Sequence, residues 1–235
     1  MLRCFDESMP VAILNHRLGF PNPRFADAEG LVAVGGDLSV PRLLLAYRSG
    51  IFPWTVDPIT WWSPEPRAIF ELDRFHVSHS LAKTIRKGVF GITFDHAFQQ
   101  VMDGCAAPAL GRRSTWITRE FIDAYTELHH QGHAHSIECW EGERLVGGVY
   151  GVAIGGLFAG ESMFHRVSNA SKVGLFHLVE HLRQQGFLLF DIQMLTPITF
   201  QLGGSTLGRK QYLRRLARAV EKQCLFDARS FLKAG

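Results

Sequence analysis

The spacing of apolar residues along the chain predicts most of its helices. Within residues 171–185, apolar side chains recur every three or four positions, which places them on one face of a helix that Gly186 would end. Residues 41–49 suit a shorter helix, because a capping serine precedes them and Gly50 follows them. The same periodicity predicts further helices over Val77–Lys87, Asp95–Cys105, Thr118–Gln131 and Lys210–Glu221.

Apolar and β-branched runs predict a group of strands in the second half of the chain. The predicted strands are Gly91–Phe94, His135–Trp140, Leu145–Ile154, Gly156–Phe164 and Phe187–Gln193. Short glycine-containing turns join the middle three, as in an antiparallel meander. The last run is apolar through its first half, which is typical of a buried central strand. This order predicts an α+β fold in which helices pack on a mixed, mainly antiparallel sheet.

The first 64 residues differ from the rest in composition, because they are rich in proline, glycine and aromatic residues. We therefore predict a small, turn-rich N-terminal lobe over residues 1–64, packed on a larger domain over residues 65–235. The 235 residues, of which 46% are hydrophobic and 20% charged, are enough for such an arrangement with a sizeable core.

Charge and cysteine content narrow the class of protein. The formal net charge is only +3, but basic residues gather in three clusters, which favours a polyanionic partner. The clusters are Lys83, Arg86 and Lys87; Arg112 and Arg113; and Arg209, Lys210, Arg214, Arg215 and Arg218. The cysteines are scattered, and the longest apolar stretch is too short and too rich in glycine to span a bilayer. Charged residues stand where a secretory signal would be apolar, so we expect a soluble cytoplasmic protein.

Three polar residues at strand ends are the first candidates for chemistry. Asp191 and Gln193 lie two residues apart at the end of the apolar strand, so regular alternation predicts that both face the same side of the sheet. Glu161 directly follows an apolar run in the preceding strand and would lie beside them if the two strands are neighbours. Such a cluster is suited to bind a cation or an amine, or to accept a proton. The alternative is that these side chains only complete structural hydrogen bonds.

Tryptophans are concentrated in the first half of the chain, at positions 54, 61, 62 and 116. Their rings are suited to line an apolar slot or to stack on a nucleic-acid base. Core packing is the alternative for each of them.

Other residues that often carry chemistry do not form a recognisable site here. The histidines at 129, 130, 133 and 135 lack the His-Glu-x-x-His spacing of a helical metal site, so we predict packing or solvated roles. The glycines between 147 and 160 are not followed by Gly-Lys-Ser/Thr, which favours turns and close strand packing over a phosphate loop. Cys139 has no nearby base and is predicted to be structural.

Taken in order, the segments of residues 20–213 resemble the leucyl/phenylalanyl-tRNA–protein transferase family. The motifs that carry the resemblance are Phe20-Pro21, Gly35-Gly36-Asp37-Leu38-Ser39, Ile51-Phe52-Pro53-Trp54, Trp61-Trp62-Ser63-Pro64, Thr115-Trp116-Ile117, Gly160 to Phe164, Asn169-Ala170-Ser171-Lys172 and Asp191-Ile192-Gln193. So many matches in one order are specific to a family, whereas a single one would not be.

The resemblance implies a small N-terminal lobe on a C-terminal domain similar to the GNAT acyltransferases. It also implies a reaction in which leucine, phenylalanine or, less well, methionine passes from aminoacyl-tRNA to the α-amine of a protein that begins with Arg or Lys. The product would be read by the bacterial N-end-rule degradation system. Because an aminoacyl ester is already activated, the resemblance implies no metal and no cofactor, and nothing in the sequence demands more than a monomer.

The resemblance also assigns roles to individual residues. Gln193 would contact the attacking amine, Asp191 would polarise or orient it, and Glu161 would help to place the acceptor or the aminoacyl end. The implied aminoacyl slot is lined by Trp54, Trp116, Val149, Phe158, Gly160, Ser162 and Met163. The basic cluster Lys83, Arg86 and Lys87 is our candidate contact for the acceptor stem of tRNA.

The chain departs from many family members after the catalytic strand, where Thr196 and Ile198 replace polar positions. Two other functions compete with the implied one. A transferase that uses acyl-CoA would need a Gln/Arg-x-x-Gly-x-Gly/Ala loop before a helix, and no suitable junction carries one. A non-catalytic binder of tRNA or of N-terminal peptides is disfavoured because both Asp191 and Gln193 are present.

Overall fold

The structure is a computed structural model that describes residues 11–108 and 115–228. Its strands are β1 (Ala12–Leu14), β2 (Leu31–Gly35), β3 (Phe52–Val56), β4 (Ile59–Trp62), β5 (Arg67–Phe70), β6 (Gly91–Phe94), β7 (Ala134–Glu141), β8 (Arg144–Ile154), β9 (Leu157–His165), β10 (Leu189–Gln193) and β11 (Gly204–Leu207). Its helices are α1 (Val40–Arg48), α2 (His79–Arg86), α3 (Phe98–Ala106), α4 (Arg119–His130), α5 (Ala170–Gln184), α6 (Pro197–Gln201) and α7 (Arg209–Glu221). The charged N-terminal residues and the basic pair Arg112 and Arg113 lie outside the described residues.

The strands of the first part of the chain form a four-stranded sheet in the order β1-β2-β4-β3. The sequence predicted α1 correctly but described the rest of this lobe as turns. The prediction missed the strands because prolines and tight turns interrupt any alternation of apolar and polar residues. Pro53 shows the reason, since a proline without a backbone donor is tolerated in β3, which lies at the edge of the sheet.

The remaining strands form a seven-stranded sheet in the order β11-β5-β10-β9-β8-β7-β6. Strands β9 and β10 run parallel, and every other neighbouring pair is antiparallel. The α+β class with a mixed, mainly antiparallel sheet is therefore confirmed, as are the meander β7-β8-β9 and the interior position of β10. The helix α5 connects the two parallel strands, as a parallel pair requires.

One predicted helix begins later than expected, and two strands of the large sheet were missed. The helix predicted from Asp95 begins only at Phe98, because Asp95 adopts a φ of 57° and its carboxylate accepts hydrogen bonds from the backbone of Ser136 and from His135. Strands β5 and β11 are four residues each and pair with each other, so neither carries enough sequence to show a period.

The largest apolar cluster joins the two sheets. It contains Leu43 and Trp61 from the N-terminal part together with Phe121 and Tyr150 from the remainder. The hydroxyl groups of Tyr47 on α1 and Tyr125 on α4 are hydrogen-bonded within it. The two parts of the chain thus share one core, and the division at residue 64 stays a prediction.

Glycines on β8 allow its neighbours to approach closely, as the sequence predicted. A β-carbon at Gly151 would lie 2.3 Å from the carbonyl oxygen of Ala159 and 2.6 Å from the ring of Phe158. These atoms belong to the adjacent β9, which carries Glu161 at its middle. The glycine therefore sets the distance between the two strands next to the candidate site.

None of the helices in the described ranges combines the length and the apolar character needed to cross a membrane. In the same ranges, no group of three or more His, Cys, Asp and Glu side chains is arranged to hold a metal ion. His135 instead pairs with Asp95 at 2.7 Å, and His129 lies 2.8 Å from the carbonyl oxygen of Ala134. Both histidines therefore have structural partners.

Replacing Gly151 by alanine should lower the free energy of unfolding by about 1–3 kcal/mol, because the methyl group must displace backbone and a buried ring. Gly91→Ala is the matched control, since its β-carbon would meet only Trp140 at an ordinary 3.7 Å within another strand. Urea unfolding followed by circular dichroism measures both variants. Equal midpoints for the two variants would contradict the proposed close approach.

Candidate functional site

A buried ion pair stands at the centre of the candidate site. Arg67 begins β5 and Asp191 lies on the antiparallel neighbour β10, and each side chain is only 1% exposed. The guanidinium donates two hydrogen bonds, Nε to Oδ1 at 2.9 Å and Nη2 to Oδ2 at 2.6 Å. This bidentate geometry is the strongest arrangement for an arginine and a carboxylate.

Other parts of the chain complete the environment of this pair. The third nitrogen of Arg67 donates to the carbonyl oxygen of Gly50 at 3.1 Å. The guanidinium carbon lies 4.8 Å from the ring centre of Phe52 and 4.5 Å from that of Tyr212, so the cation is held between two aromatic faces. Tyr212 also donates its hydroxyl to Asp191 at 2.7 Å. Both charges are therefore satisfied, and the Asp191 carboxylate raises the pKa of Arg67 despite its burial.

The strand β10 is irregular between Asp191 and Gln193. Its register against β5 shifts there, Gln193 has a φ of 53°, and its backbone N–H donates to Asp191 Oδ1 at 2.9 Å. The expectation that both side chains follow the regular alternation of a strand does not hold at this bulge. The Asp191 carboxylate forms the ion pair with Arg67, whereas the side-chain amide of Gln193 donates a hydrogen bond to Glu161. A bulge redirects a side chain in this way at many functional sites.

Glu161 lies at a second bulge, in β9, and meets Gln193 there. The Gln193 Nε2 donates to Glu161 Oε1 at 3.0 Å, and the Tyr125 hydroxyl donates to Oε2 at 3.3 Å. Tyr125 is in turn bonded to Tyr47, so a chain of hydrogen bonds leads from α1 through α4 to the site. Burial raises the pKa of Glu161 to about 7, and the nearby charge of Asp191 acts in the same direction.

Two adjoining cavities open on either side of this contact. The first, of about 160 Å³, is walled by the aromatic residues Phe52, Trp54 and Trp116. The second, of about 170 Å³, is walled mainly by apolar side chains such as Val149, Met163 and Phe190. Both cavities are lined by Glu161, Ile192, Gln193, Met194 and Thr196. The Glu161–Gln193 pair therefore lies at the boundary between an aromatic cavity and an apolar cavity.

The structure divides the aminoacyl slot that the sequence predicted as one set. Trp54 and Trp116 line the aromatic cavity. Val149, Gly160, Ser162 and Met163 line the apolar cavity. Phe158 lines neither, because it is fully buried with its ring centre 5.4 Å from that of Phe190. It supports the wall of the apolar cavity from behind.

Several residues around the site were not anticipated. Arg67 and Tyr212 hold Asp191, and Tyr47 and Tyr125 hold Glu161. Arg67 alone left a signal in the sequence, since a single arginine directly precedes the apolar run of β5. A charge next to a strand that is buried along its length indicates a buried partner.

The basic clusters differ in their surroundings. Lys83, Arg86 and Lys87 are exposed at the end of α2 and form no ion pair with any described residue. On α7, by contrast, Arg215 makes a bidentate contact with Glu71 at 2.5 and 2.8 Å. Part of the α7 cluster therefore stabilises the fold, whereas the side chains of the α2 cluster are exposed and form no ion pair with a described residue.

Cys139 is a structural residue, in agreement with the prediction. Its thiol is fully buried and donates to the carbonyl oxygen of Ala170 at 3.0 Å. Burial raises the pKa of the thiol to about 12, so a nucleophilic thiolate does not form near neutral pH.

Arg67→Met should lower the free energy of unfolding by about 3–5 kcal/mol, because it leaves Asp191 buried without its counter-charge. The matched control is Arg119→Met, which removes an exposed partner of Asp123 and should cost about 0.3–0.5 kcal/mol. Adding Asp191→Asn to the first variant should restore part of the loss. Urea unfolding measures all three, and equal losses from Arg67→Met and Arg119→Met would refute the role of the pair.

Comparison with known proteins agrees with the geometry. The family model described as leucyl/phenylalanyl-tRNA protein transferase matches residues 69–217, and the model of its N-terminal domain matches residues 36–65. A leucyl/phenylalanyl-tRNA–protein transferase of Shewanella baltica is 51% identical over 212 residues, covering 88% of this chain and 90% of the relative. The corresponding protein of Shewanella putrefaciens is 49% identical over 223 residues, covering 93% and 94%.

One solved structure, that of L-PGS from Bacillus licheniformis, matches with a TM-score of 0.39 and 15% identity. The match covers 76% of this chain and 62% of that protein, which is less than two thirds of its length. The two family models together span residues 36–65 and 69–217, which include Asp191 and every residue that lines the two cavities, while Arg67 lies between the two matched ranges. The chain belongs to the leucyl/phenylalanyl-tRNA–protein transferase family, a family of aminoacyltransferases.

Proposed function

We propose that this protein transfers leucine or phenylalanine, and methionine less well, from aminoacyl-tRNA to the N-terminal α-amine of proteins that begin with Arg or Lys. The modified proteins would then enter N-end-rule degradation. The observation that carries the proposal is the Glu161–Gln193 contact between an aromatic and an apolar cavity. We also propose, from the family resemblance, that residues 65–235 are GNAT-like.

The two cavities match the two ends of an aminoacyl-adenosine. The rings of Trp54 and Trp116 in the aromatic cavity suit stacking on the terminal base. The walls of the apolar cavity suit an uncharged amino-acid side chain. With the base in the aromatic cavity and the amino-acid side chain in the apolar cavity, the ester that joins them lies where the two cavities meet, beside Gln193 and Glu161.

Gln193 is the group that meets the reacting atoms in this arrangement. Its Nε2 is held by Glu161, so its carbonyl oxygen is left to accept a hydrogen bond from the attacking α-amine. The nitrogen of the neutral amine forms a bond to the ester carbonyl carbon, the bond from that carbon to the ribose oxygen of tRNA breaks, and the proton that the amine loses is taken up by that ribose oxygen. Fixing the amine in line with an ester that is already activated supplies much of the rate in such a reaction.

Asp191 acts through Gln193 in this proposal. It lines neither cavity, but its Oδ1 accepts the backbone N–H of Gln193 and so holds the bulge. Because the ion pair with Arg67 fixes the carboxylate, the position of the Gln193 amide depends on the whole cluster.

The apolar cavity would select the amino acid by shape. Val149, Met163 and Leu175 line it, and a side chain branched at its β-carbon would press on walls that are close to the ester. A single methyl group in an apolar pocket changes binding by only about 1–3 kcal/mol, so valine and isoleucine would be rejected incompletely.

The exposed cluster Lys83, Arg86 and Lys87 is the proposed contact for the acceptor stem. These cations have no partner among the described residues, and cations without partners are suited to neutralise phosphates. Their contribution would fall as the salt concentration rises.

Purified protein should move labelled leucine from Leu-tRNA to a peptide that begins with Arg, and Gln193→Ala should lower kcat by about 10²–10⁴-fold. Gln211→Ala, on the exposed face of α7, is the control and should leave kcat unchanged. Single-turnover transfer of the label measures both variants. Failure of the unaltered protein with Leu-, Phe- and Met-tRNA, on peptides beginning with either Arg or Lys, would refute the proposed function.

The pH dependence of transfer should contain a contribution from Glu161. Above its pKa of about 7 the carboxylate is ionised and accepts more strongly from Gln193 and Tyr125, so kcat should rise with pH through this value. Glu161→Gln cannot ionise and should lack this step, while the titration of the acceptor amine near about pH 8 remains. Glu143→Gln, at an exposed turn, is the control. Identical profiles for all three proteins would contradict this role.

A further inference from the structure

A third and larger cavity, of about 710 Å³, adjoins the apolar cavity and has a different character. Met163 lines both, so the two are neighbours. The wall of the large cavity includes Arg166, Asn169, Ser171 and Lys172, and none of the residues in the described ranges that line it is Asp or Glu. A wall with cations and without carboxylates indicates an anionic occupant.

The N-terminus of α5 forms one side of this cavity. The helix has 15 residues, and its first turn contains no acidic side chain. The first intrahelical bond runs from Val173 to Asn169, and the backbone N–H groups of Ser171 and Lys172 have no acceptor among the described residues. Free N–H groups and the positive end of the helix dipole both favour an anion here.

The side chain of Ser171 is an independent indication of a ligand. Ser171 is only 4% exposed and lines the cavity, yet its hydroxyl has no hydrogen-bond partner among the described residues. The hydroxyl oxygen itself is not closed off by the protein and remains accessible from the cavity. An acceptor oxygen in the cavity would satisfy it.

Two cations stand beside this hydroxyl. Lys172 is half-buried and pairs with no described carboxylate. Arg166 donates to the carbonyl oxygen of Leu145 at 3.0 Å and lies over the ring of Phe164, and it also pairs with no described carboxylate. Their charges are therefore available to a ligand.

We propose that this cavity binds a phosphodiester group of the acceptor end of aminoacyl-tRNA, held by the Ser171 hydroxyl, the two free N–H groups of α5 and Lys172. This inference rests on the proposed function, since it adds a subsite for the same substrate. The tRNA backbone is favoured as the source because the exposed cations of α2 lie alongside: Asn169 Nδ2 contacts Thr84 Oγ1 on that helix at 3.5 Å. A basic surface thus continues from the cavity towards Lys83 and Arg86.

The test compares two substrates that carry the same amino acid. Leu-tRNA contains the phosphodiester, whereas 3′-O-leucyl-adenosine has no phosphate. Lys172→Gln should raise KM for Leu-tRNA about ten-fold with kcat unchanged, and should leave KM for leucyl-adenosine unaltered. Lys172→Arg should restore most of the loss, and Ser171→Ala should raise KM for Leu-tRNA alone. Arg144→Gln, exposed at the start of β8 and outside the three basic clusters, is the control.

A direct binding measurement tests the phosphate subsite independently of the proposed transfer activity. A labelled RNA trinucleotide ending in CCA should bind more weakly to Lys172→Gln, and the slope of log affinity against log salt should fall by about 0.7 for the lost contact. This measurement decides the subsite even if the unaltered protein transfers no amino acid.

Three outcomes would overturn the phosphate subsite. One is equal loss with both leucyl substrates, which would mark a structural effect of the variant. Another is unchanged trinucleotide binding and an unchanged KM for Leu-tRNA. The last is a loss of transfer in the variants that occurs only when the acceptor peptide has an acidic residue at its second position. That result would show that a peptide carboxylate occupies the cavity.

Discussion

The buried pair of Arg67 and Asp191 connects elements that would otherwise be separate. Through Arg67 it reaches the Gly50 carbonyl and the Phe52 ring of the N-terminal part, and through Asp191 it reaches Tyr212 of α7 and the backbone of Gln193. Burying two charges is costly, and here the cost is offset only because every donor and acceptor of the pair has a partner. Any movement of the N-terminal sheet against β10 would break this arrangement, so the pair ties the wall of the aromatic cavity to the strand that carries Gln193.

Two adjacent bulges convert this rigid cluster into a site. The bulge in β10 turns the Gln193 amide away from Asp191, and the bulge in β9 brings Glu161 to meet it. In regular strands the side chains would follow the pleat, and the amide and the carboxyl group would not be directed to a common boundary. The hydrogen bonds from Tyr125 and Tyr47 then fix Glu161 from the opposite side. The site is thus held by buried contacts on both flanks while its centre opens to two cavities.

The charge distribution around the site fits a substrate that is apolar at its reacting end and anionic elsewhere. The two cavities next to Gln193 are aromatic and apolar, whereas the start of α5 and the end of α2 carry cations that pair with no carboxylate of residues 11–108 and 115–228. An aminoacyl-tRNA has this division, with an uncharged side chain and base at its tip and phosphates behind them. In the proposed reaction the ester is already activated, and the cations would serve binding.

The sequence by itself determined the elements whose signal is local. Apolar periodicity placed α1, α4, α5 and α7, glycine turns placed the meander, and an apolar run ending in polar residues indicated Asp191, Gln193 and Glu161. The motifs that resemble the transferase family indicated the reaction. Only the tertiary structure decided that Arg67 meets Asp191 across 124 positions and that Tyr47 meets Tyr125 across 78. It alone divided the predicted slot into two cavities and placed the Ser171 hydroxyl, which has no hydrogen-bond partner among the described residues, at a third. The physical reason is that periodicity shows which face of an element is buried, whereas the partner on that face is set by packing between distant segments.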